Sequence, residues 1–209
     1  MSAKVECEVR MAREGGGSVS MQALAALLQC GDLVFIRVAA RPFREVAIAT
    51  DSSSNHVGIV TDIAGREPLI GESKFPLSRT TALPRFVARS ENGRVAVTRL
   101  NGRLTPEQQH RLLAAAKRRS RIFYDTGFNL HSHRQFCSRY VREVLAEATG
   151  VHIGKVETFR DLLASQPQAA LGFWRLWYFG RIPWERETVT PASLLRSPGL
   201  QLVFDGVAL

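Results

Sequence analysis

The stretch Asn55-His56-Val57-Gly58-Ile59-Val60-Thr61-Asp62-Ile63-Ala64-Gly65-Arg66-Glu67-Pro68-Leu69-Ile70-Gly71-Glu72-Ser73 decides how this chain is read. Val57 to Thr61 and Leu69 to Ser73 are short apolar runs of strand character, and Asp62 to Arg66 between them holds a glycine suited to a hairpin loop. Centring that loop near Ala64 sets Glu72 directly opposite His56. Opposed residues of an antiparallel pair have Cβ atoms about 4.5–5.5 Å apart, which brings a carboxylate within reach of an imidazole. Glu72 is then placed to fix the tautomer of a histidine at the mouth of a strand. The same spacing also fits a cross-strand polar pair on an exposed face.

Working outward, Leu33-Val34-Phe35-Ile36, bounded by Gly31-Asp32 and Arg37, reads as a buried strand. Before it, Gln22 to Gln29 carries Leu24, Leu27 and Leu28 at helical spacing and is stopped by Gly31. A loop containing Pro42 is expected next, and the alternating Arg94 to Leu100 is expected as a strand. Thr105, Pro106 and Gln108 supply an N-cap, a first-turn proline and a capping-box partner, predicting a helix to about Ser120. From Cys137 to about Thr149, Tyr140, Val141, Val144, Leu145 and Ala148 recur at steps of three and four, with Gly150 as the stop. The tail offers a helical stretch near Val156 to Ala164, an aromatic run from Phe173 to Phe179 and a last strand from Gln201 to Phe204. Strands and helices in mixed order, joined by hairpin-length connections, indicate an α+β fold with an antiparallel sheet packed against helices. Residues 1–19 are polar, end near Gly15-Gly16-Gly17-Ser18 and read as a flexible lead-in; residues 20–209 read as one domain.

The composition is that of a folded globular chain: 209 residues, 45% hydrophobic and 22% charged. Cys7, Cys30 and Cys137 are scattered and form no C-x-x-C pair, so no disulfide framework or zinc ribbon is legible, and a reducing compartment fits. No apolar run approaches the roughly 18 residues of a membrane span, and the N-terminal stretch lacks the apolar core of a signal peptide. A cytoplasmic location is the expectation. The net charge of +9 favours an anionic partner. However, the arginines are scattered, and the densest run, Lys117-Arg118-Arg119 with Arg121, falls where a helix ends and cations meet the negative end of its dipole. Without a recognisable binding motif, nucleic acid is not expected as the main partner; contact with a membrane surface remains compatible with the charge.

Chemistry concentrates at Cys137. In the first turn of a helix its thiolate is favoured by unpaired backbone N–H groups, which could also receive an oxyanion. Position alone fits a buried structural cysteine too. A thiol at a helix start, a histidine at a strand mouth and an acid on the next strand are nucleophile, base and orienter of a thiol-acyl system. His131-Ser132-His133 with Cys137 lacks the closed four-ligand spacing of a zinc site, so the loop histidines are expected to flank the cleft. The aromatic run from Phe173 to Phe179 reads either as core or as an acyl-binding groove.

Taken in order, Gly31-Asp32-Leu33-Val34-Phe35, Asn55-His56-Val57-Gly58-Ile59-Val60, Gly71-Glu72-Ser73, Phe123-Tyr124-Asp125 with Phe128, and Phe136-Cys137-Ser138 resemble the circularly permuted papain-like amidases of the YiiX/YebB type. These are relatives of the NlpC-type cell-wall peptidases, with the histidine strand ahead of the cysteine helix. The closing segment, Phe173-Trp174-Arg175 through Pro183-Trp184 to Thr190-Pro191-Ala192-Ser193-Leu194, is similar to the tail of the YebB-like branch. The resemblance implies a permuted papain-like fold with Cys137 as nucleophile, His56 as general base and Glu72 as third residue, Asp125 being the alternative. It implies Tyr124 and Ser138 as substrate-binding or oxyanion residues, and no cofactor. Arg139 departs from the acid many members carry two residues after the nucleophile, and is expected to alter substrate preference. The function expected is cysteine hydrolysis of a peptide-like amide or an ester. The alternatives are an acyl transferase using the same site on an acyl lipid, and a non-catalytic basic module for nucleic acid or anionic lipid.

Overall fold

The computed structural model describes residues 17–166 and 169–209. In chain order the elements are β1 (Ser18–Val19), α1 (Met21–Leu27), β2 (Leu33–Val38), α2 (Arg41–Ala49), β3 (His56–Asp62), β4 (Leu69–Glu72), β5 (Arg79–Ala82), α3 (Leu83–Val87), β6 (Ser90–Leu100), α4 (Pro106–Arg118), α5 (Cys137–Thr149), β7 (Val156–Thr158), α6 (Phe159–Ala164), α7 (Leu171–Trp177), β8 (Glu187–Val189), α8 (Pro191–Leu195) and β9 (Leu200–Ala208). A seven-stranded sheet runs β1-β9-β6-β2-β3-β4-β5, antiparallel except for the parallel β1–β9 pair, and β7 and β8 form a separate pair. This is the α+β arrangement expected.

The sheet sits between two apolar layers, which explains why β2 reads as an unbroken apolar run. Leu33 and Phe35 point to the α4 and α5 side, while Val34 and Ile36 point to the α1 and α3 side. Strand side chains alternate faces, so a strand buried on both must be apolar at every position. On α5 the stripe Tyr140, Val141, Val144, Leu145 and Ala148 is buried against β3. Burial of each larger member contributes on the order of 1.5–3 kcal/mol. Gly71 permits the close approach: a Cβ there would lie 2.7 Å from Tyr140 Oη and 2.9 Å from Thr61 Cγ2.

Several expectations change. Pro42 belongs to helix α2, not to a loop; it sits in the first turn, where its missing N–H has no helical partner to lose. Residues 156–164 split at Thr158, which caps α6 by accepting from Asp161 N, so the first three residues are a strand. Strand β9 runs on to Ala208 and pairs with β1, so the part of the expected lead-in at Ser18 and Val19 is strand; residues 1–16, with Cys7, lie outside the described residues. Neither β5 nor α3 was anticipated. The aromatic run is mostly helix α7, with Trp174 buried among Phe159, Leu163 and Ile182. Among the described residues no helix is long and apolar enough to cross a membrane.

Candidate active site

Helix α5 begins at Cys137 with Phe136 as its N-cap, and no side chain caps it. The first-turn N–H groups of a helix have no partner within it, so here they are free to serve the sulfur. The backbone N–H groups of Ser138, in the helix, and Val57, in β3, point at Cys137 Sγ. Burial alone pushes the thiol up, but the charge of the His56 ring beside it, with these two N–H groups, outweighs it and holds the thiol below its ordinary value.

His56 opens β3 and is buried. Its Nε2 lies 2.7 Å from Glu72 Oε2, while Nδ1 is buried without a formed hydrogen bond. Burial lowers the imidazole, but the Cys137 sulfur and the Glu72 carboxylate overcome it and carry the ring to about 9. Glu72 is fully buried. It also accepts from Thr81 Oγ1 at 2.7 Å and Arg89 Nη2 at 2.7 Å. Burial opposes its ionisation, yet His56, Arg89 and Thr81 together bring it down to about 2.

The pair meets by a route other than the one expected. Ile59 pairs with Gly71 and Val60 with Ile70, and an irregularity follows before Asp62 pairs with Leu69. Continuing that register puts Gly58, not His56, across from Glu72, so His56 reaches the carboxylate as its diagonal neighbour. The loop between the last paired residues, Asp62 and Leu69, is centred between Gly65 and Arg66 and not at Ala64, which moves the partner of Glu72 along the strand. Gly58 contributes through its missing side chain. A Cβ there would lie 2.4 Å from Ile70 Cγ2 and 2.9 Å from Phe86 Cε2; without it, the Phe86 ring packs 5.7 Å from the His56 ring.

Tyr124 is buried near the sulfur, with its hydroxyl unpartnered; burial first, then the Cys137 charge, raise it well above the ordinary tyrosine value. Ser138 enters differently from expectation. Its hydroxyl is spent on Val189 O at 2.7 Å, leaving only its backbone N–H for the sulfur. Asp125 is not near the imidazole partners: Oδ1 accepts from Gly127 N and Oδ2 from Asn129 N, closing its own loop. His131 is exposed and pairs with Glu187 at 2.7 Å. Arg139 binds Glu143 and two carbonyls of the 132–134 loop, bracing that loop against the helix flank.

Sequence reasoning missed Arg89, Thr81 and Phe86, which lie on or beside the unanticipated β5 and α3. It also passed over Asn55, whose buried side chain accepts from Val38 N and donates to Val38 O. That clamp fixes the chain one residue before His56, and its position next to the histidine was a usable signal. A narrow pocket of about 40 Å³ opens beside Cys137, lined by Phe43, Val46, Phe128, Phe159, Leu163 and Trp174 among others.

A thiol on a helix start that follows, rather than precedes, its histidine strand defines a permuted papain-like arrangement. The chain belongs to that family: residues 27–204 match the family described as permuted papain-like amidase enzyme, YaeF/YiiX, C92 family. It is 30% identical over 185 residues to the uncharacterized protein YiiX of Escherichia coli strain K12, covering 88% of this chain and 90% of that protein. It is also similar to the crystal structure of the metalloprotein YiiX from Escherichia coli O157:H7, with a TM-score of 0.77 and 29% identity over 85% of this chain and 97% of that one. In this chain, no group of three or more His, Cys, Asp or Glu among the described residues is arranged to hold an ion.

Proposed function

We propose that this protein is a cysteine hydrolase that cleaves an ester or amide of an apolar acyl group through Cys137, His56 and Glu72. The observation that carries the reading is the thiol at an uncapped helix start facing a buried, carboxylate-bound imidazole. The thiolate attacks the carbonyl carbon, a C–S bond forms and the π electrons move to oxygen. The oxyanion is then within the field of the α5 N–H groups, with the Tyr124 hydroxyl as a further donor. His56 passes its proton to the leaving alcohol or amine, giving a thioester. Water then attacks with His56 accepting its proton, the C–S bond breaks and the acid leaves.

The pocket beside Cys137 supports the acyl half of the substrate, since its walls are almost wholly apolar. The outer side of α7 and the turn after it expose Leu176 and Phe179 between Arg175 and Arg181. Apolar knobs among cations suit contact with an anionic membrane surface, from which an acyl-bearing substrate could be drawn. The basic-module alternative is weakened because Arg118 and Arg119, in the densest cationic run, are held by Glu147 and Glu143. Transfer of the acyl group to another acceptor would use the same thioester.

The test is a series of p-nitrophenyl esters from acetyl to octanoyl, with Cys137→Ser and His56→Ala as controls. kcat/KM should rise with chain length, by up to about fourfold per methylene if each CH₂ is fully buried, and both variants should lose it. Turnover that survives Cys137→Ser overturns the nucleophile; turnover that ignores chain length overturns the acyl pocket.

A further inference from the structure

Glu72 is fully buried and binds more than the imidazole, accepting from Thr81 and Arg89 as well. Arg89, in the turn between α3 and β6, donates from Nη2 to Glu72 Oε2 at 2.7 Å. Its guanidinium carbon lies 4.9 Å from the centroid of Phe86, and the other side of the contact chain is the His56 ring, 5.7 Å from Phe86 at an interplanar angle of 33°. Arg89 Nε is buried without a partner although a quarter of the side chain is exposed. The four side chains thus close a ring: His56 to Glu72, Glu72 to Arg89, Arg89 over Phe86, Phe86 against His56.

We propose that Arg89 is a positioning residue for His56: by offsetting the Glu72 charge and stacking on Phe86, it lets the carboxylate orient the imidazole without fastening the proton to it. The inference rests on the thiol-acyl reading above. Thiolate, imidazolium, carboxylate and guanidinium sum to zero. Without the guanidinium, a net negative charge would remain buried around the ring, which is costly and draws the proton onto the nearest base. A base that must take a proton from water works best with a pKa near the working pH. Other groups share this field. Glu72 and Cys137 face the ring directly, while Lys74 and the Tyr140 hydroxyl act on it through Glu72, and Arg79 lies beside Lys74.

The experiment follows the His56 ring by NMR of ¹³C-labelled histidine across pH, its signal assigned by loss in His56→Ala, in the parent, Arg89→Gln and Arg89→Lys. Arg89→Gln should raise the His56 titration by about one pH unit, the lower end of the range for a nearby charge, and Arg89→Lys should stay close to the parent. A purely structural role would not move the titration. An unmoved His56 in Arg89→Gln, or an equal shift in both variants, overturns the proposal. Should Arg89→Gln fail to fold, Glu72→Gln/Arg89→Gln should recover the fold, because the charge needing compensation is gone; a double variant that stays unfolded gives Arg89 a packing role and also overturns it. A parent His56 titrating near the ordinary value of about 6.5, with Cys137 no more reactive than a free thiol, would instead sink the nucleophile reading itself.

Discussion

The two ends of β3 each meet a cysteine, a buried carboxylate and an arginine, and they do opposite things with them. At the His56 end, Cys137 meets an imidazole and two backbone N–H groups, and its thiol is lowered. At the other end, Cys30 donates to Thr61 O at 3.6 Å, and burial, Asp62 and Asp32 push its thiol up to about 11. The carboxylates differ in the same sense. Asp32 is as buried as Glu72 and is gripped by Arg99 through two contacts of 2.7 Å, yet burial wins and its carboxyl is raised. Glu72 has one arginine contact plus the imidazole and is lowered to about 2. A cysteine near acid and base side chains therefore does not make a nucleophile. Burial raises both thiols; at Cys137 the imidazole and the N–H groups of Val57 and Ser138 reverse it, while at Cys30 Asp62 and Asp32 add to it.

The sharpest way to break that comparison is alkylation by iodoacetamide at pH 7, with sites assigned by mass spectrometry. Thiolate fraction favours Cys137, whose thiol is lowered while burial and two aspartates push that of Cys30 up to about 11, and the lower intrinsic nucleophilicity of a low-pKa thiolate takes back part of the advantage. Cys137 should react at least about 100-fold faster than Cys30. Accessibility alone gives the reverse order, since Cys30 is the more exposed of the two. Comparable rates would mean the two ends of β3 are chemically alike and that Cys137 is structural.

A smaller effect separates base from orienter. His56→Ala should cost Cys137 alkylation about 10²-fold, at the low end of what positioned acid–base groups supply, while Glu72→Gln keeps a hydrogen-bonding partner and should cost about tenfold. The losses should not add, because an orienter has nothing to orient once the ring is gone. Asp32→Asn, at the far end of the strand, should leave the rate unchanged. Additive losses, or a Glu72→Gln protein equal to the parent, would mean the 2.7 Å contact between His56 and Glu72 does not act on the thiol.

How much of this was legible depended on periodicity. The start of α5 at Cys137 and its stop at Gly150, which adopts φ 78°, follow from a clean apolar stripe ending in a residue that tolerates the left-handed turn. The hairpin was legible as a hairpin, but its register was not, because Ile63 and the residues up to Pro68 belong to a loop centred between Gly65 and Arg66, and neither that centre nor the one-residue irregularity between Val60 and Asp62 leaves a mark in the pattern. Residues 74–89 carry neither a helical nor a strand period long enough to read, and that is where Thr81, Phe86 and Arg89 sit. Their roles arise from β5 pairing with β4, with Glu72 opposite Arg79, and from α3 folding back beneath His56. Such contacts are set by tertiary packing, not by spacing along the chain.

The last and smallest expected effect concerns acid. Glu72 is near 2 in the folded protein against an ordinary value of 4.5, so its ionisation contributes stability that is fully present above about pH 4.5 and is lost as pH falls toward 2. Asp32 is raised, so the folded protein takes up its proton before the unfolded chain does, and acid relieves that carboxylate instead of penalising it. His56, raised to about 9 from 6.5, contributes below 6.5 and loses its contribution as pH rises through 9, outside this window. Between pH 5 and pH 3 the parent should therefore lose on the order of 2 kcal/mol more than Glu72→Gln, which has no carboxylate to protonate there. Asp32→Asn should lose at least as much as the parent over the same interval, because the group it removes was offsetting the loss. Urea unfolding at pH 5, 4 and 3 measures all three slopes. If Asp32→Asn flattens the acid slope and Glu72→Gln does not, it is Asp32 and not Glu72 whose ionisation stabilises the fold, and the two ends of β3 exchange their electrostatic roles.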